Sequence, residues 1–345
     1  MDTSHTHPLE VLKNKNHQAI WKGLLLSIII ASIAFTIHYL SGLHFLSPMI
    51  LAVIIGILYK RVITIPKEFN TGIDFSLQKL LKIAIILLGL QLSFAQVLDV
   101  GLNGLLVIFL ILGSTFLFCI WAGKLLNIDS RLTHLIAAGT SICGASAIVA
   151  TNSVIRGKDE HVAYAITTVT LFGFLSMIFY PIIARLLHLD PHTFGFWAGT
   201  SIHETAQVIG TAFQAGQESG EAGTVAKLSR IIFLVPAILA LGFSSIGNSS
   251  SEKSMTKKHL PIPWFIIGFI ILVAMNSILS IDPGLKDQIK IGNKFLLTIS
   301  LAAMGLHMNF SKIRKTGLRP LCLGALAWVF ISTVSLISVK TFIYH

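Results

Sequence analysis

The sequence predicts an all-α polytopic membrane protein of about 11 transmembrane helices, and three observations carry that expectation. Apolar residues make up 54% of the 345-residue chain, charged residues only 12%, and the mean hydropathy is +0.79. Soluble domains sit well outside those values. Long Leu/Ile/Phe runs alternate with short charged clusters, as spans of about 20 residues require. Finally, 15 acidic residues are too few to cover a soluble protein of this length, and in lipid only closed hydrogen-bonded elements such as helices can cross.

Apolar length and charged punctuation place the elements in order at 23–43, 46–59, 80–98, 104–123, 132–154, 161–184, 193–213, 222–244, 262–280, 292–310 and 319–339. The stretch 1–22 reads as a polar cytoplasmic tail, and 23–345 as a single transmembrane transporter domain. Met1 to Asn16 is polar and has no apolar core with a cleavage site, so a signal peptide is not expected. The second run is short, and Pro48 near its start is tolerable because a helix's first amides are unpaired. With the N-terminus inside, 18 of the 26 Lys and Arg residues fall on the cytoplasmic side, as the positive-inside rule requires. The net charge of +11 is spread in clusters between apolar runs, so no nucleic-acid partner is expected. Cys119, Cys143 and Cys322 lie in apolar segments without metal-ligand spacing and read as packing residues.

An internal repeat appears when residues 80–105 are laid on 296–321. At an offset of 216, nine of 26 positions are identical, among them Gly89-Leu90 with Gly305-Leu306 and Gly101-Leu102 with Gly317-Leu318. The topology sends the two copies in opposite directions, as inverted repeats of secondary transporters run.

Two segments share the string AGTSI, at 138–142 and 198–202. Gly, Thr and Ser within an apolar span let the backbone unwind and expose amides, and a broken helix whose N-terminus faces a cavity attracts anions. Thr140, Ser141, Gly144, Thr200 and Ser201 are therefore candidate substrate-binding residues. Close helix packing through small residues is the alternative reading. His203 and Glu204 form an adjacent ionisable pair in mid-span, a candidate for proton coupling; local capping is the alternative. Lys227 and Arg230 share a helix face and could bind an oxyanion, pair with Glu204, or snorkel to the interface. Gln91, Gln207, His307 and Asn309 are secondary candidates for lining a cavity, with packing and helix termination accounting for them equally well.

No metal or other cofactor is expected. A zinc-hydrolase motif His-Glu-x-x-His would need a second histidine where Gln207 stands. Neither a phosphate-binding loop nor a GxSxG elbow occurs.

Through GTSICGASAI (139–148), GTSIHETAQVIGTA (199–212) and LGLQLSFAQVL (88–98), the chain resembles the sulfate exporter family of bacterial inner-membrane proteins, over about Trp21 to Tyr344. That resemblance implies inverted repeats, discontinuous helices and membership of the cation/proton antiporter and anion transporter superfamily. It makes a small anion such as sulfate and the surrounding membrane lipid the expected partners, and leaves a homodimer open. The expected function is secondary active anion transport, by preference sulfate export, with proton coupling. A cation/proton antiporter is the alternative, and a membrane-embedded enzyme is disfavoured.

Overall fold

A computed structural model describes residues 8–41, 47–92, 101–246, 264–279, 282–308 and 317–342. Every regular element among them is helical, so the chain is an all-α polytopic membrane protein. Among the described residues six helices are long and apolar enough to cross a membrane, and shorter apolar helices accompany them.

The helices are α1 (Pro8–Ser41), α2 (Pro48–Val62), α3 (67–91), α4 (Gly101–Leu125), α5 (Ser130–Ala138), α6 (Ala145–Ile155), α7 (Asp159–Leu186), α8 (Pro191–Ser201), α9 (Thr205–Ala212), α10 (Gln217–Ile232), α11 (Leu234–Ile246), α12 (Trp264–Ile278), α13 (Pro283–His307) and α14 (Leu318–Phe342). Several starts are fixed by side-chain caps. Ser47, Asp129, Asp190 and Asp282 each accept a hydrogen bond from an amide of the first turn, and in three of these helices proline fills the position after the cap, where its missing N–H costs nothing.

Several expected boundaries differ, among them the span expected at 222–244, which is two helices, Gln217–Ile232 and Leu234–Ile246. The helix expected at 80–98 runs from 67 to 91, and the one expected at 292–310 runs from Pro283 to His307. In both, helix formation continues back through charged and polar residues that an apolar-length criterion discards. Likewise α1 begins at Pro8, inside the stretch expected as a polar tail.

The chain forms two compact units, one of residues 1–93 with 267–308, the other of residues 94–266 with 309–345. In the first, the internal repeat extends well beyond the identities that reveal it. Both bounds of α12 lie 216 residues after those of α2, and both bounds of α13 lie 216 after those of α3. The copies exchange partners. A Cβ on Gly89 of α3 would meet the Phe269 carbonyl oxygen of α12 at 2.5 Å, and a Cβ on Gly305 of α13 would meet the Val53 carbonyl oxygen of α2 at 2.4 Å. Phe269 and Val53 are themselves 216 residues apart. The helix ends repeat the pattern, because Lys60 donates to the His307 carbonyl at 3.1 Å while Asn276 donates to the Leu92 carbonyl at 2.9 Å. Each copy thus satisfies carbonyls orphaned at the C-terminus of the other, as a pseudo-two-fold relation between the copies produces.

The second unit buries apolar layers around Leu135, Ile148 and Val169, and around Tyr180, Trp197 and Val208. Tyr180 stacks on Trp197 with ring centroids 4.0 Å apart, and both reach Ser332 of α14: Tyr180 Oη lies 2.6 Å from Ser332 Oγ, and Trp197 Nε1 donates to the Ser332 carbonyl at 2.9 Å. Those bonds give the polar tips of two buried aromatics the partners they need. Helices α8 and α10 meet through glycine, since a Cβ on Gly195 or Gly199 would come within 2.1 or 2.4 Å of a carbonyl oxygen of α10.

Candidate functional site: two broken helices and their charged ends

Both AGTSI segments end a helix inside the second unit. In the first, α5 passes into a π-turn over Gly139–Cys143, closed by the Gly144 amide on the Gly139 carbonyl at 2.8 Å, and α6 starts after Gly144. Gly144 has φ +70° and ψ −131°, a conformation that only glycine adopts without strain. In the second, α8 stops at Ser201, Ile202 and Glu204 are extended, and α9 begins at Thr205. Each segment therefore offers a C-terminal helix end with free carbonyls and an N-terminal end with free amides.

Lys227 and Arg230 of α10 fill the carbonyl side. Lys227 Nζ donates to the carbonyls of Ile142, Ile202 and His203 at 3.1, 2.8 and 2.6 Å. Arg230 donates from Nη1 to Gly199 and Ile202 at 3.3 and 3.0 Å, and from Nη2 to Thr140 and Ser141 at 3.0 and 2.8 Å. Both side chains are fully buried, so neither snorkels to an interface. Among the described residues no ion pair links either to Glu204. Three carbonyls around Nζ match the three N–H bonds of an ammonium group. Positive charge at the negative ends of two helix dipoles is favourable, and charge-assisted hydrogen bonds of about 1.5–3 kcal/mol each offset the cost of burying the cations.

Glu204 fills the amide side. It is the N-cap of α9 and closes a capping box: its carboxylate accepts from the Gln207 backbone amide, and Gln207 Oε1 accepts from the Glu204 amide. Thr170 of α7 donates its hydroxyl to Glu204 Oε1 at 2.9 Å, and the carboxylate lies against Gly144, where the other helix breaks, since a Cβ there would come within 3.4 Å of Oε1. One carboxylate thus caps α9 and sits beside the break that precedes α6. Gln207 is held in turn by the Thr170 carbonyl at 2.9 Å, in space left by Gly173, where a Cβ would overlap Gln207 Oε1.

Of the remaining candidates, some lie beside these two breaks and others do not. Ser141, Thr200 and Ser201 turn their hydroxyls back to carbonyls of their own helices, those of Ala137, Phe196 and Trp197, while Thr200 also meets Ser335. Thr140 and Ser141 meet Arg230 through backbone carbonyls. The His203 ring is buried and, among the described residues, finds no hydrogen-bond partner on either nitrogen. Gln91 and His307 belong to the first unit, where His307 Nε2 lies 3.5 Å from Asp74. Asn309 lies outside the described residues. Thr170 and Gly173 were not singled out by sequence, because a threonine and a glycine in an apolar helix carry no distinguishing signal. Among the described residues no three His, Cys, Asp or Glu side chains converge to hold a metal ion.

Comparison with known proteins agrees with the membrane fold. The chain is 37% identical over 330 residues to a UPF0324 membrane protein of Pseudomonas aeruginosa, covering 90% of this chain and 92% of that one. It is 35% identical over 337 residues to a UPF0324 membrane protein of Bordetella pertussis, covering 93% and 96%. It is 33% identical over 330 residues to the UPF0324 inner membrane protein YeiH of Escherichia coli K12, covering 92% and 94%. The family described as conserved hypothetical protein 698 matches residues 22–324, and the chain belongs to that family.

Proposed function

We propose that the protein is a secondary active transporter of a small oxyanion, sulfate by preference, in which the substrate and the Glu204 carboxylate compete for the same helix-end amides. The observation that carries this reading is the position of Glu204, a tethered anion lying where helix N-termini favour negative charge. Protonating Glu204 weakens its hold on the Gln207 amide at the start of α9 and opens that helix end to an external anion. With Glu204 neutral, Lys227 and Arg230 leave two positive charges at the crossing, which a divalent oxyanion balances. His203, adjacent and without a hydrogen-bond partner for its ring among the described residues, would exchange that proton. Alternating access would carry the crossing from one side to the other.

The chain is then a permease of the bacterial inner membrane, where its relative YeiH is named, with the N-terminus on the cytoplasmic side as its basic residues are distributed. A cation/proton antiporter would need carbonyl oxygens for its cation, and Lys227 and Arg230 take them here.

Labelled sulfate flux in proteoliposomes under a pH gradient tests this function. Wild-type flux is expected to rise as the pH falls, and Glu204→Gln is expected to be insensitive to pH. Equal flux in both proteins with no response to pH would remove the coupling, and a sodium-driven flux without sulfate would favour the antiporter.

A further inference from the structure

The oxygens around Lys227 and Arg230 have the makings of a metal-ion site. Six backbone carbonyls, of Thr140, Ser141, Ile142, Gly199, Ile202 and His203, converge from two helix breaks on two buried cationic groups at 2.6–3.3 Å. Carbonyl oxygens are the ligands that hard cations take, and unwound backbone with half-helix C-termini is where membrane transporters coordinate them. In this chain the charge arrives covalently, on α10.

We propose that Lys227 and Arg230 are tethered substitutes for a bound cation, and that the Lys227 seat, formed by the carbonyls of Ile142, Ile202 and His203, becomes a binding site for a small monovalent cation once the side chain is removed. Two consequences follow. The wild-type protein needs no dissociable metal cation to hold the two breaks together, so sodium has no part in its stability. Replacing Lys227 by a free cation also leaves the net charge beside Arg230 unchanged, so Arg230 opposes the free ion no more than it opposes the native ammonium.

Thermal unfolding of purified protein in detergent, with ionic strength held constant, tests this without any reference to anions. Lys227→Ala is expected to be destabilised in choline chloride. Its Tm should rise by about 5 °C in 100 mM sodium chloride if the site binds in the millimolar range. Propylammonium, which replaces the deleted atoms, should also raise it. Wild-type Tm should be the same in sodium and choline. Failure of both small cations to stabilise Lys227→Ala would overturn the proposal, as would a wild-type Tm that depends on sodium. Should the alanine variant not accumulate, Lys227→Gln takes its place: a sodium-dependent rise supports the proposal, and its absence overturns it.

Discussion

Gly144 and Glu204 touch where the two helix breaks meet: a Cβ on Gly144 would lie 2.5 Å from Glu204 Cγ. Two independent requirements thus fall on one glycine, since its φ of +70° is also closed to other residues at low cost. Gly144→Ala should therefore lose about 3 kcal/mol or more, combining backbone strain with overpacking. The check is thermal unfolding in detergent. A loss below about 0.5 kcal/mol, the range of an ordinary surface change, would mean that the breaks do not depend on this contact.

Thr170 separates the capping role of Glu204 from its proposed competition with substrate. Thr170→Val keeps the shape of the side chain and removes the hydroxyl that donates to Oε1. A hydrogen bond to a charged group contributes about 1.5–3 kcal/mol, so the carboxylate should yield to an external anion roughly 10- to 150-fold more readily. Labelled sulfate uptake at neutral pH should increase accordingly, while uptake at a pH acid enough to protonate Glu204 should change little. Reduced uptake at both pH values would show that the hydroxyl serves the substrate instead.

The exposed Lys22–Glu68 pair in the first unit makes a contrasting case. The Lys22 ammonium, 2.6 Å from the Glu68 carboxylate, holds that group below the usual glutamate range through a hydrogen bond and its charge. A lowered folded-state pKa contributes stability above the unfolded value, and the contribution is lost as pH falls through the folded value. Because the pair is open to solvent and screened by salt, Glu68→Gln should leave thermal stability near neutral pH unchanged within error. Any difference from wild type should shrink further in acid, and one that grows in acid would contradict the pairing.

Much of this architecture was legible in the residues, and the parts that were not share a cause. The unwinding at 139–144 and 202–204 followed from Gly, Thr and Ser in apolar runs, and Lys227 with Arg230 stood out as two charges on one helix face. Their partners could not be read, because those partners are backbone carbonyls, which every residue has, exposed only by how the chain breaks. The hydroxyls of Ser141, Thr200 and Ser201 carried the sequence signal, yet they bond within their own helices. The repeat was visible over 80–105 and 296–321 because glycine and leucine persist there. Its extension to α2 and α12 is nearly invisible in residue identity, since at most of the paired positions one apolar side chain replaces another.

That extension makes a symmetric prediction. Gly89 and Gly305 occupy equivalent places in the two copies, and each faces a backbone carbonyl oxygen that a Cβ would approach within 2.5 or 2.4 Å. Backbone cannot rotate away as a side chain can, so the helices must separate or bend, at a cost of about 1–3 kcal/mol for overpacking. Gly89→Ala and Gly305→Ala should lower the unfolding temperature by similar amounts, whereas Gly292→Ala, with no atom of the described residues within 4 Å of its Cβ position, should be neutral or stabilising through better helix propensity. If the first two differ as widely from each other as either does from Gly292→Ala, the exchanged packing of the copies is not an equivalent contact, and the duplication would govern only the backbone path.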